Sequence, residues 1–186
     1  MSQTSYANTF SGAFSGQLAD TGYSRKGAWI NGEGADIPAG IFVAFKSESG
    51  QYKSAELPDA EDDRIVGIVI NSFARNPNDL SGTAAVKDTA VMNVMEEGAV
   101  YMATEQTIGP ADPVFCRITS DGGSNTQLGK LRKDSDSGRA ILVPGAHVLF
   151  GGTTSQAAAV YFSAAVNLSS AAVAQPEVAD LVDNGG

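Results

Sequence analysis

After Gly34 the chain is written as short apolar runs separated by turn signals, with Val and Ile concentrated in the runs. Ile41-Phe42-Val43-Ala44-Phe45 is a compact apolar run closed by Ser49-Gly50, and Arg64 to Ile70 reads as a buried strand. Between Ala84 and Val94 one alternate set is Ala84, Val86, Asp88, Ala90, Met92 and Val94, and the opposite set is more polar. That pattern predicts a half-buried strand or hairpin, with a helix as the alternative that Ala and Met allow. Further strands are predicted over Gly98–Ala103 and Val114–Ile118, and Ala140–Val143 and His147–Phe150 flank a Pro144-Gly145 turn. Near the end, Val160, Phe162, Ala164, Val166 and Leu168 alternate with Tyr161, Ser163, Ala165, Asn167 and Ser169. A period of two outweighs alanine's helical propensity there. Residues 71–83 and the polar stretch from Thr119 to Gly138 read as loops, the second exposed and mobile.

Short strands, Gly-rich turns and no strand–helix–strand rhythm predict a mainly β fold, a small β-barrel or sandwich-like domain with an extended N-terminal arm. Ile41, Val43, Ile68, Ile70, Val100, Val114, Ile118, Val143 and Phe162 are the expected core. The expected layout is an arm over residues 1–34, a β-domain over 35–170 and a loose acidic tail over 171–186, in which Pro176 to Asp183 forms one helical turn or none.

The arm is unusual. It is built of Ser, Thr, Gly and Ala, yet it carries Tyr6, Phe10, Phe14, Tyr23 and Trp29. A solvated tail ordinarily lacks large aromatics, because nothing there buries them. An arm of this composition makes sense when it is laid on another surface, where each buried aromatic contributes roughly 1.5–3 kcal/mol against the cost of ordering. Phe10, Phe14, Tyr23 and Trp29 are therefore the candidate contact residues, the alternative being a mobile leader with incidental aromatics.

Charge narrows the partners. With 12 Lys and Arg against 21 Asp and Glu, the net charge is −9, which offers no footprint for direct contact with nucleic acid or an anionic membrane. There is no basic, apolar leader and no run long enough to span a bilayer, so a soluble product of the cytoplasm is expected. The single cysteine, Cys116, excludes an intrachain disulfide.

Candidate chemistry is sparse. His147 is the only histidine and sits in apolar strand text, as a structural histidine would; Cys116 in Val-Phe-Cys-Arg-Ile reads as a small core residue. Asp134-Ser-Asp136-Ser-Gly138 opens like a calcium loop but has Gly138 at the third ligand position and Gly145 where the bidentate Glu belongs. The acidic cluster Asp59, Glu61, Asp62 and Asp63 reads as a solvated loop ahead of a pairing Arg64. No zinc ligand set, phosphate loop or nucleophile motif occurs, and no lysine lies in the apolar setting that a Ser–Lys hydrolase needs. No catalytic residue, cofactor or metal is expected.

The order of segments carries a resemblance. Phe14-Ser-Gly-Gln-Leu-Ala-Asp20 leads to Ile37-Pro-Ala-Gly-Ile-Phe-Val43, then Val66-Gly-Ile-Val69, Val91-Met-Asn-Val-Met-Glu-Glu-Gly-Ala-Val-Tyr101 and Gly109-Pro-Ala-Asp-Pro-Val-Phe-Cys-Arg117. Over residues 12–150 this resembles the structural cement, or capsid decoration, proteins of tailed bacteriophages. The resemblance implies a virion protein on the capsid exterior that bridges major capsid proteins and stabilises the expanded shell. It also implies self-association, as a homotrimer, with the arm on the capsid. The alternative is another virion structural or adhesion part, such as a tail-tube or head-joining protein.

Overall fold

The computed structural model describes residues 13–19, 22–71 and 85–164. Phe10, the 71–83 loop beyond Asn71 and the acidic tail lie outside the described residues.

Five strands close into a barrel. In ring order they are β1 (Arg25–Asn31), β4 (Tyr52–Glu56), β3 (Phe42–Ser49), β5 (Ile65–Val69) and β7 (Val91–Met102), and β7 returns to β1. The β1–β4 pairing is parallel and the other four are antiparallel. A two-stranded ribbon of β2 (Ile37–Pro38) and β6 (Ala85–Val86) lies beside the ring. Three short strands, β8 (Phe115–Arg117), β9 (Leu131–Arg132) and β10 (Ala140–Leu142), form a separate sheet in the order β10-β8-β9. β11 (Ala146–Phe150) and β12 (Ala158–Ser163) extend the barrel sheet outward from β7.

β7 makes this branching possible. Its first half pairs with β1 and β5, its second half with β12. Between the halves the register slips, where Arg25 faces Glu97 but Lys26 faces Met95, and Gly98 takes φ 137°. A bulge of this kind turns the strand and flips the faces that its side chains meet. So Met92 and Val94 point into the barrel, whereas Val100 and Met102 point to a second core. Glycine 98 fits because a side chain is strained at that φ.

Two apolar cores result. One fills the barrel with Trp29, Ile37, Ile41, Val43, Val69, Met92 and Val94. The other lies between the barrel wall and the β8–β12 strands, and includes Phe42, Ile68, Met95, Val114, Leu131, Val148 and Phe162. β3 and β5 are therefore apolar on both faces, which explains why their sequences read as continuous runs rather than alternations. All nine residues expected in the core are buried. Val86, Met92 and Val94 are all buried, but not on one strand or hairpin: Val86 lies in β6, paired with β2, and Met92 and Val94 lie in β7, beyond an intervening turn.

The domain boundary needs correction. Residues 25–31, expected inside the arm of residues 1–34, are a barrel strand, with Trp29 and Asn31 pointing inward. Alternation is disguised there because the inward position after Trp29 is polar. Asn31 is tolerated because its Nδ2 donates to the carbonyls of Ala35 (2.8 Å) and Val86 (2.9 Å), and its Oδ1 accepts from the Glu33 amide (2.9 Å). The excursion from Thr119 to Gly138 also differs from a plain mobile loop: it contains β9 and a buried Arg132.

Candidate functional site

The stretch of chain ahead of β1 is fastened to the barrel. Gly16 donates to the Tyr101 carbonyl (2.7 Å), Ala19 to that of Ala99 (2.9 Å), and Tyr101 donates to the Gln17 carbonyl (2.8 Å). Leu18 bridges antiparallel to Val100. Asn71 donates to the Gly16 carbonyl (2.8 Å), and the Ser15 hydroxyl links the Ala39 carbonyl (3.0 Å) to the Ala103 amide (3.1 Å). This strap lies along the second half of β7. Gly16 (φ +83°) and Gly40 (φ +78°) let the two backbones meet; a Cβ on Gly16 would stand 2.6 Å from that of Ala39.

The strap separates the four candidate contact residues into different roles. Phe14, at its beginning, is 75% exposed, and Tyr23, just past its end, is 78% exposed. Backbone hydrogen bonds hold residues 14–19 while the Phe14 ring stays in solvent, and Tyr23 stands just ahead of β1. Leu18 is exposed between them. Phe14 and Leu18, with Gln17, Lys26, Ile70, Asn71 and Asn93, border a groove of about 550 Å³, which Tyr23 does not line. Trp29 is different: only 4% of it is exposed. Its indole packs edge-on against Phe45 (6.3 Å), donates Nε1–H to Glu96 (3.1 Å), and lies under Lys53 Nζ (5.7 Å). Trp29 is part of the barrel filling, and the expectation that it contacts a partner is withdrawn. Phe10 lies outside the described residues.

Of the residues weighed for chemistry, Cys116 is fully buried and burial pushes its thiol pKa well up, as an inert core thiol requires. His147 is not a core residue. It is exposed on β11 with its ring against that of Tyr161 (5.1 Å), whose hydroxyl faces Glu97 (3.3 Å). The Asp59–Asp63 segment is a turn in which Asp63 caps the amides of Asp59 and Ala60. Arg64 there lies over the Phe45 ring (4.5 Å).

The calcium-like stretch has another use, which the motif search missed. Asp134 and Asp136 meet two arginines, Arg132 in the same segment and Arg117 from a distant one. Glu105, fully buried, accepts from Arg117 Nε (2.6 Å) and Arg132 Nη1 (2.7 Å). Arg117 Nη2 reaches Asp136 (2.8 Å), and Arg132 Nη2 reaches Asp134 (2.6 Å). Burial works against the charge of both arginines, yet the carboxylates still raise their pKa values above the ordinary. Arg132, Asp134 and Asp136 follow one another along one segment, but no signal in the sequence links them to Glu105 and Arg117.

The family model described as "Structural cement protein (E217 gp24/Pam3 gp6)" matches residues 2–174. Among solved structures, a chain from "The capsid of Myoviridae Phage XM1" superposes with a TM-score of 0.63 at 16% identity, covering 87% of this chain and 96% of that one. No curated protein matches the chain.

Proposed function

The chain belongs to the structural cement protein family, and from that premise we propose that it sits on the exterior of a phage capsid and bridges neighbouring major capsid proteins. The role is structural and capsid-associated, in the virion. In the finer reading, the protein is synthesised in the host cytoplasm, self-associates as a homotrimer, and stabilises the expanded shell. The family role is not that of an enzyme.

The observation that supports docking through the N-terminal side is the exposure of Phe14, on backbone that the barrel already holds, and of Tyr23, two residues ahead of β1. Ordering cost is small where the main chain is fixed, as it is beside Phe14, so burial of that ring goes mostly into affinity. At roughly 1.5–3 kcal/mol per ring, several subunits acting together give tight attachment through avidity. A ligand that binds only the intact shell also raises the shell's stability by mass action.

The test is a binding titration of wild type and the Phe14→Ala/Tyr23→Ala double variant onto undecorated expanded heads, followed by a thermal ramp. Weakened binding with lost protection supports the reading. Unchanged affinity and unchanged protection refute the contact assignment.

A further inference from the structure

The charge network of Glu105, Arg117, Arg132, Asp134 and Asp136 has a consequence separate from capsid binding. We propose that it is a clamp that holds the 119–138 excursion, β9 included, against β8 and β10, and that it opens as a local unit while the barrel stays closed.

Every end of the excursion is tied to it. Glu105 follows β7, Arg117 ends β8, Arg132 lies in β9, and Asp134 and Asp136 belong to the turn before β10. Arg117 Nη1 also donates to the Thr119 carbonyl (2.7 Å), where the excursion begins. At its other end Asp136 faces both arginines, Arg117 at 2.8 Å and Arg132 at 3.5 Å. Gln106 donates to Asp134 (3.0 Å), and Asp134 accepts from the Asp136 amide (3.2 Å). Asp121, whose carboxylate is tied up by Gly123 and Asn125, lies near enough to Arg117 to feel its charge; Cys116 lies near Glu105. Two guanidiniums and three carboxylates thus make a closed set in the network itself.

The set is poised. Asp136 and Ser137 hold φ of +46° and +58°, a conformation that L residues with side chains adopt reluctantly. Such a turn persists where surrounding contacts over-determine it, and the two arginines on Asp136 supply those contacts. Arg132 Nε is buried without a hydrogen-bond partner, so the arginine relies on its remaining donors for compensation. Loss of one carboxylate therefore leaves a desolvated donor and releases a strained turn together, which favours a two-state response over gradual loosening.

The test is amide hydrogen exchange of the free full chain, wild type against Glu105→Gln, an isosteric change that presents an NH2 group to one of the two arginines. The informative amides are Ile118, Gly129 and Ala140, bonded to Arg139, Arg117 and Ser135, with Phe45, Val69 and Ile70 as barrel references. Expected is exchange faster by at least about tenfold at the first three, with the references unchanged within about twofold. Asp136→Asn, which suits a positive φ, is expected to give the same pattern from the solvent side. Equal acceleration across both sets, or none in either, overturns the clamp. Global unfolding of both variants overturns it as well, since the network would then be part of the whole fold.

Discussion

Trp29 belongs to the barrel filling rather than to the exposed rings proposed to dock, and its removal should be felt in stability. The ring is 4% exposed, packs edge-on to Phe45 at 6.3 Å, and hydrogen-bonds Glu96 at 3.1 Å. Truncation of a buried Trp to Ala costs about 3–5 kcal/mol through lost transfer energy and an unfilled cavity. The edge-to-face pair, worth about 0.5–1.5 kcal/mol, is included in that range. Trp29 also lies in β1, the strand whose pairing with β4 and β7 closes the ring, so the cavity falls where relaxation would open the barrel. We take about 4 kcal/mol for Trp29→Ala, equivalent to roughly 8–16 °C in melting temperature for a chain of this size. Phe14→Ala and Tyr23→Ala remove rings already in water and should change stability by no more than about 0.5 kcal/mol. Urea unfolding followed by far-UV circular dichroism reads all three variants, because Trp29 is the only tryptophan and its fluorescence is lost in the first. A Trp29→Ala loss below about 1 kcal/mol, or an equal loss in Tyr23→Ala, would refute the division between filling and contact residues.

Deletion of residues 1–13 should leave a folded barrel, whereas deletion through Asn31 removes β1 and should abolish the cooperative transition; a folded product of the longer deletion would contradict the ring described here. Gly40→Ala should loosen the strap, because its Cβ would collide with Ser15 at a positive φ; faster proteolysis after Phe14 without loss of the barrel signal is the expected readout. Cys116 should resist thiol reagents in the native state and react only on unfolding, because burial raises its pKa and blocks access. Asp134 is held below its ordinary 3.8 by the hydrogen bond from Arg132 and then that from Gln106. A depressed acid stabilises the fold fully above its unfolded value and loses that contribution as pH falls through the folded one. At its half-exposed position the effect is about 0–1 kcal/mol, so wild type and Asp134→Asn should differ in urea midpoint near neutral pH and converge in acid. A difference that persists unchanged into acid would count against the assignment.

Local periodicity in the chain was enough to determine the β class and much of the core. Runs such as Ile65–Val69 and the Val160/Phe162 alternation announce burial on one or two faces, since side-chain direction along a strand repeats every two residues. The buried thiol of Cys116 was legible for the same reason. Ring closure was not. β1 is recognisable only when Asn31 is seen to satisfy its amide on Ala35, four residues on, and on Val86, which the fold brings to it from a distance of 55 residues. Tyr52–Glu56 has Ala55 as its one buried residue, too little for alternation to show. His147 sits in apolar text yet faces outward, because β11 has one face on the second core and one in solvent. The charge network is the extreme case: Glu105, Arg117 and the Arg132–Asp136 stretch come from three separate segments, and each charge alone reads as an ordinary surface one. Burial of such groups depends on neutralisation by partners, and partners are chosen by the tertiary pairing of strands rather than by neighbours in sequence.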